Sequence, residues 1–88
     1  MSFEWDENKR QMNLAKHGID FLRVVTLFDR KYLNEELAYA DELRWKAIGL
    51  IDGMEIAVIY TRRNERIRLI SARRARNYER RAYRQLYP

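Results

Sequence analysis

The C-terminal third of the chain concentrates the side chains that could bind an anion. Residues 62–88 contain ten arginines, two glutamates and no lysine, whereas residues 1–61 carry three more acidic than basic side chains. The net charge of +5 therefore arises in one segment. A guanidinium group is planar, permanently charged and able to bind two phosphate oxygens at once. This bias predicts a polyanion partner, with nucleic acid as the first candidate. A plain solvated helix face is the alternative interpretation.

A second requirement for chemistry on a phosphate is a group that can transfer a proton. Arginine cannot accept one at neutral pH. The chain has no cysteine and a single histidine, and its carboxylates are scattered, so a zinc site, a nucleophilic triad and a metal-dependent nuclease are all disfavoured. Metal-free RNA cleavage remains, because the 2′-hydroxyl of the substrate is then the nucleophile. The candidates for its proton transfers are His17, Glu79, Tyr83 and Lys16.

Each of these candidates also has a purely structural interpretation. His17 beside Gly18 is typical of a helix end, where it would bond to terminal carbonyls. Glu79 is expected to relieve repulsion by pairing with arginines three or four residues away, and those neighbours would favour its carboxylate form. The nearby tyrosines could stack on unpaired bases or form the edge of the core, and the core is the better reading for Tyr78.

The arginines are expected to surround one strand, Arg66–Ser71. Ile67 and Leu69 would lie on one face of this strand, and Arg66 and Arg68 on the other. A helix that begins directly after the strand would add backbone N–H groups suited to phosphate. We expect the side chains at 66, 73 and 74 to converge on one anion. Six arginines then form the cluster: Arg62 and Arg63 in the preceding turn, Arg66 and Arg68 in the strand, and Arg73 and Arg74 at the start of the helix.

The N-terminal part of the chain carries clear helix signals. Asp6 and Gly18 are suitable residues to begin and end a helix over residues 7–17. Asp20 is expected to cap a second helix, whose apolar stripe recurs with helical spacing at Phe21, Val24, Val25 and Phe28. Phe3 and Trp5 are compatible with a short strand before the first helix.

The pattern changes to strands from about Leu37 onward. Trp45–Ile51 and Met54–Tyr60 are apolar runs separated by Asp52-Gly53, a two-residue signal for a type I′ hairpin. The second run should be central and covered on both faces. A four-residue polar turn, residues 62–65, leads to the arginine-flanked strand. Ser71 is expected to cap the final helix, whose predicted buried stripe is Ala75, Tyr78, Ala82 and Leu86.

These elements predict one α+β domain spanning residues 1–88. Two N-terminal helices would precede an antiparallel meander of three or four strands, and a C-terminal helix would complete the cover of its apolar face. No apolar run is long enough to cross a membrane and no signal peptide is recognisable, so a cytoplasmic protein is expected. Neither a metal nor another cofactor is expected.

Several motifs resemble the BrnT family of toxins. The run Arg66-Ile-Arg-Leu-Ile-Ser-Ala-Arg-Arg-Ala75 is the most specific, and the matches occur in the family's order along nearly the whole chain. The segment 34–43 matches poorly. The other matching residues are Phe3-Glu4-Trp5-Asp6, Asn13, Lys16-His17-Gly18-Ile19, Phe28-Asp29, Ile48-Gly49, Glu79 and Tyr83.

This resemblance implies a RelE-like fold and a ribonuclease toxin that blocks translation. It also implies neutralisation by a BrnA-type antitoxin with a ribbon-helix-helix portion, and repression of the operon by the complex, so that operator DNA is contacted only through the antitoxin. The family's polar positions correspond here to Lys16, His17, Arg66, Arg73, Arg74, Glu79 and Tyr83. Two alternatives remain open: a non-catalytic nucleic-acid-binding subunit or co-repressor, and a basic face that mainly docks an acidic antitoxin segment.

Overall fold

Five strands and three helices follow one another in the computed structural model, which describes residues 1–88 apart from the side chain of Tyr39. None of the described helices is long and apolar enough to cross a membrane. The elements are β1 (Ser2–Trp5), α1 (Glu7–His17), α2 (Phe21–Val24), a 3₁₀ turn (Val25–Asp29), β2 (Leu33–Tyr39), β3 (Glu42–Ile51), β4 (Met54–Arg63), β5 (Arg66–Arg74) and α3 (Asn77–Leu86).

The five strands form one mixed sheet in the order β1-β5-β4-β3-β2. The four later strands form the expected antiparallel meander, and β4 lies at its centre. The expectation of three or four strands was incomplete, because Ser2–Trp5 pairs with β5 as a parallel edge strand. Its partners lie more than sixty residues away along the chain, and local periodicity contains no information about such a pairing.

The β3–β4 and β4–β5 turns of the meander each have two central residues with positive φ. Asp52 and Gly53 have φ of 51° and 78°, which confirms the predicted type I′ hairpin. Asn64 and Glu65 have φ of 49° and 66°. The expected four-residue turn at 62–65 is therefore only two residues long, and β4 and β5 extend to meet it.

The helix ends near the N-terminus are confirmed. The Asp6 carboxylate accepts hydrogen bonds from the backbone N–H groups of Asn8 and Lys9, and Gly18 ends α1 in the left-handed region with φ of 71°. The Asp20 carboxylate accepts from the N–H of Leu22 at the start of α2. These helix ends could be predicted from the sequence because a cap depends on residues within one helical turn.

The final helix begins later than expected. Strand β5 continues to Arg74, whose partner on β4 is Ile56, and α3 starts at Asn77. Ser71 is consequently a strand residue and caps nothing. The predicted stripe of Tyr78, Ala82 and Leu86 is exposed, since α3 is rotated to bury Glu79 and Tyr83 instead, while Ala75 is buried in the preceding loop.

The sheet has two unlike faces, which we call face A and face B. Face A carries Ile67 and Leu69 and is covered by the segment 19–28, which supplies the larger hydrophobic core. Gly49 lies under this segment, and a Cβ there would lie 3.0 Å from the Leu27 side chain. Face B carries Arg66 and Arg68 and is covered only in part by α3, over a small cluster of Ile48, Ala57, Ala75 and Tyr83.

Candidate nucleic-acid interface

The arginines of β5 divide between the two faces. Side chains alternate along a strand, so Arg66 and Arg68 extend from face B while Ile67 and Leu69 enter the core of face A. Strict alternation would place Arg74 on face B. The register with β4 shifts, however, because Tyr60 pairs with Leu69 and Ile59 pairs with Ser71.

Ile70 therefore has no partner on β4 and forms a β-bulge. The extra residue reverses the alternation, so Arg73 lies opposite Ala57 of face B and Arg74 lies opposite Ile56 of face A. Arg73 consequently shares a face with Arg66 and Arg68. The expected convergence of the side chains at 66, 73 and 74 is wrong for Arg74, whose Nη1 lies 3.5 Å from the sulfur of Met54.

The predicted RNA-binding arginines are also divided. Arg63 pairs with Arg66 and shares face B with it, and neither forms an ion pair among the described side chains. Arg68 extends from the same face, with its Nη1 2.6 Å from the Glu4 carboxylate on β1. Arg62 belongs to face A, where its guanidinium lies 5.5 Å from the ring centre of Trp45.

Glu79 is the electrostatic centre of face B. Its side chain is fully buried, and both carboxylate oxygens accept from the Arg73 guanidinium, at 2.7 and 2.9 Å. It also accepts from the backbone N–H of Arg76 at 2.8 Å. Burial acts to raise the pKa of Glu79, but the bonds from Arg73, Arg76 and Lys46 outweigh it and hold the pKa at about 2. A sealed carboxylate of this kind positions cations and is poorly suited to accept a proton at neutral pH.

Lys46 is a component of this cluster that our sequence analysis did not identify. It lies on β3, its side chain is 8% exposed, and its Nζ is 2.8 Å from Glu79. Burial acts to lower the pKa of Lys46, yet the hydrogen bond and charge of Glu79 produce a net rise. The sequence feature that could have indicated Lys46 is its position as the only charged residue of the apolar run Trp45–Ile51. A lysine is seldom buried unless its charge is paired.

Two tyrosines of α3 have the opposite environments to those expected from the sequence. Tyr78, expected in the core, is 52% exposed, and its hydroxyl lies 3.4 Å from the Lys46 Nζ and 3.5 Å from a Glu79 oxygen. Tyr83, expected at the catalytic site, is 8% exposed and packs in the small cluster under α3. Its ring centre is 5.4 Å from that of Tyr87. α3 begins at Asn77 and buries the face that carries Glu79 and Tyr83, which leaves Tyr78 exposed.

Lys16 and His17 lie at the end of α1, beside an open groove of about 550 Å³ between that helix and β5. The groove is lined on the sheet side by Ile70 and Ser71. Asn13 fastens the two elements together, since its side chain accepts from the N–H of Ala72 and donates to the carbonyl of Ile19, both at 3.0 Å.

Cross-strand register relates the groove to the Glu79 cluster. Ser71, Ile59 and Lys46 form one row across face B, which places the groove about 10 Å from Lys46 at two strand spacings. Arg73 is two residues beyond Ser71, about 7 Å along β5 on the same face. Face B thus presents guanidinium groups beside the Tyr78 phenol, and the groove lined by Lys16 and His17 borders this face at Ser71. Such a cationic surface is suited to hold a phosphate. Within the described residues, no group of three or more His, Cys, Asp or Glu side chains is placed to hold a metal ion.

Comparison with known families decides the assignment. Residues 5–79 match the model of the ribonuclease toxin BrnT of type II toxin–antitoxin systems, which covers most of the chain. The chain belongs to the BrnT family. A direct comparison with curated protein sequences gives no match.

BrnT membership identifies the chain as a ribonuclease toxin, whose target is RNA and whose partner is an antitoxin. The matched region contains the α1 groove residues, Lys46, the whole of β5 and Glu79. Tyr83 lies outside it. The matched region therefore includes the face B cations Lys46, Arg66, Arg68 and Arg73, whereas Glu4, the partner of Arg68, precedes it.

Proposed function

We propose that this protein is a metal-independent endoribonuclease that cuts RNA by using the 2′-hydroxyl of the substrate as nucleophile. The observation that carries the proposal is the alignment of Arg66, Arg68 and Arg73 on one open face, with Arg73 held by two hydrogen bonds to a buried carboxylate. Fixed donors of this kind stabilise charge that develops on a phosphate in the transition state. The family match supports the reaction class.

Arg73 is assigned to the scissile phosphate. Its guanidinium is already oriented by Glu79, so little conformational entropy remains to be lost when the phosphate binds. Arg63 and Arg66, which lack ion-pair partners among the described residues, and Arg68 would bind neighbouring phosphates along the strand. Arg62 and Arg74 extend from face A and are not assigned to this phosphate path.

His17 is assigned as the group that accepts the 2′-hydroxyl proton, and Lys16 as an additional cation at the same end of the site. Both line the groove that meets face B at Ser71. Imidazole is the side chain suited to proton exchange near neutral pH. Glu79 is assigned to holding Arg73 instead of to proton transfer, because its carboxylate is sealed and kept ionised.

The biological role proposed with this activity is inhibition of translation in the cytoplasm. A BrnA-type antitoxin would neutralise the toxin by covering face B, and the complex would repress its own operon. Competition between the antitoxin and RNA for the free toxin tests whether they share this face.

The decisive experiment is cleavage of a defined RNA by the purified protein in excess EDTA. We expect cutting to continue, and to stop when the 2′-hydroxyl at the scissile nucleotide is replaced by hydrogen. The products should carry a 2′,3′-cyclic phosphate and a 5′-hydroxyl. Intact RNA in EDTA with cutting restored by Mg²⁺, or unchanged cutting of the 2′-deoxy substrate, would contradict the mechanism. RNA bound in a salt-dependent manner but never cut would favour the non-catalytic alternative.

A further inference from the structure

Two lysine–tyrosine pairs have their tyrosine in α3 or directly after it. The two pairs differ in what surrounds the tyrosine hydroxyl. Lys46 Nζ lies 5.1 Å from the ring centre of Tyr78 and 3.4 Å from its hydroxyl oxygen. Lys31 Nζ lies 5.9 Å from the ring centre of Tyr87, whose hydroxyl donates to the carbonyl of Tyr32 at 3.2 Å. The Tyr78 hydroxyl thus accepts from an ammonium and makes only a long contact, 3.5 Å, to a Glu79 oxygen. The Tyr87 hydroxyl donates its proton to the backbone.

The two lysines also differ, because Lys46 is buried and held by an ion pair whereas Lys31 is exposed. The 2.8 Å ion pair with Glu79 holds the Lys46 ammonium on face B, and Glu79 is itself fixed by Arg73 and by the N–H of Arg76. Lys46, Arg73 and Glu79 together carry a net charge of +1. A half-exposed phenol is therefore held beside a fixed positive charge, close to the arginine assigned to the scissile phosphate.

We propose that Tyr78 donates the proton that the departing 5′-oxygen requires, and that Lys46 is the positioning residue which orients its hydroxyl and stabilises the phenolate. The proposal rests on the metal-independent cleavage described above. Tyr83 lacks access to the same role, because its ring is buried under α3.

The bonds and protons balance in this step. The 2′-oxygen forms a bond to phosphorus and its proton passes to His17. The bond from phosphorus to the 5′-oxygen breaks, and the phenol proton of Tyr78 passes to that oxygen, which leaves a 2′,3′-cyclic phosphate, a 5′-hydroxyl, protonated His17 and the Tyr78 phenolate. The phenolate lies next to the Lys46 ammonium, and exchange of protons with water restores both groups.

The experiment uses two RNA substrates that differ in one atom at the scissile linkage, the normal 5′-oxygen or a bridging 5′-sulfur. A thiolate departs without being protonated, because a thiol is far more acidic than an alcohol. A residue that only supplies the leaving-group proton is therefore dispensable for the sulfur substrate. A residue needed for folding or for RNA binding is needed for both substrates.

We expect Tyr78→Phe to lower single-turnover cleavage of the oxygen substrate by about 100-fold or more, the usual scale of general acid catalysis. The same variant should cleave the sulfur substrate at the wild-type rate. Lys46→Met should show the same pattern with a smaller loss. Tyr87→Phe and Lys31→Met, the matched changes in the second pair, should leave both rates unchanged.

Equal losses on both substrates for Tyr78→Phe would overturn the inference while leaving the proposed cleavage reaction intact. Unchanged cleavage of the oxygen substrate by Tyr78→Phe would overturn it as well. If the wild-type protein cuts neither substrate in EDTA, the proposed function itself has failed. Tyr78→Phe decides the matter even if Lys46→Met does not fold, because it removes one hydroxyl from a half-exposed ring.

Discussion

Face A and face B are built from the same strands and yet have opposite characters. On face A, Phe21, Val24 and Leu27 close over the sheet and no side chain among them is exposed. On face B, the ten-residue helix α3 covers only a small apolar cluster, and the remaining surface is cationic around one buried carboxylate. The face with the complete cover therefore holds most of the buried apolar surface that stabilises the fold. The incompletely covered face retains the unpaired cations that a substrate can use.

On face B, a large effect on stability is expected at Glu79, whose side chain is fully buried. Glu79→Gln should lower the free energy of unfolding at pH 7 by about 3 kcal/mol, because it leaves Lys46 and Arg73 without their shared counter-charge. The folded-state pKa of about 2 lies below the ordinary 4.5. The unfolded chain therefore takes up the proton first as the pH falls.

The stabilisation by Glu79 should consequently be complete above about pH 4.5 and be lost progressively towards pH 2. Urea unfolding at several pH values between 7 and 2 should show wild type and Glu79→Gln converging at the acidic end. Glu35→Gln, at a half-exposed carboxylate 3.9 Å from Lys46, is the control and should follow the wild type. A difference independent of pH would exclude this linkage.

On face A the matching experiment is Leu69→Ala. Leu69 is 1% exposed within the larger core, so its truncation should cost about 2–5 kcal/mol of unfolding free energy. Ile70→Ala, one residue further along in the bulge, should cost less because Ile70 is only partly buried. Chemical denaturation measures both. Equal losses of unfolding free energy would contradict the difference in burial between Leu69 and Ile70.

Activity should separate two adjacent arginines that lie on opposite faces. Arg73→Lys keeps a positive charge near Glu79 but removes the two-pronged donor, and should reduce RNA cleavage by about 100-fold. Arg74→Lys should cleave RNA and inhibit growth like the wild type. Similar losses for both variants in a cleavage assay would show that the bulge does not determine which arginine serves the site.

The smallest effect is expected from the exposed cations of face B. Arg66→Ala should weaken RNA binding for all sequences alike and reduce the slope of log affinity against log salt by about 0.7 for the lost phosphate contact. Titration of a 2′-deoxy substrate analogue at several salt concentrations measures this slope. Arg81→Ala, at an exposed arginine of α3, is the control; an equal change there would indicate a diffuse charge effect without a defined path.

Features that depend on neighbouring residues were readable from the sequence. The caps at Asp6 and Asp20 and the Asp52-Gly53 hairpin were predicted correctly, because each depends on the dihedral and hydrogen-bonding preferences of a few adjacent residues. The burial of Ile67 and Leu69 followed in the same way from alternation along a strand.

The start of α3 and the pairing of β1 were not predictable in this way. An arginine-rich stretch after Ser71 is compatible with either helix or strand, and pairing with β4 decided for strand. The face that α3 buries is set by its packing on the sheet, where Tyr83 joins the cluster of Ile48, Ala57 and Ala75 while Tyr78 stays exposed. The burial and pairing of Lys46 could not be predicted either, because its partner Glu79 lies thirty-three residues away on another element.

From the sequence alone it follows that the C-terminal third is strongly cationic, that its charge is carried by guanidinium groups, and that it contains few groups able to transfer a proton. Which of those guanidinium groups share a face depends on the tertiary structure. The unpaired Ile70 places Arg73 with Arg66 and Arg68 and turns Arg74 away. The physical reason is that strand register is set by long-range pairing, and one extra residue in a strand reverses the face of every side chain after it.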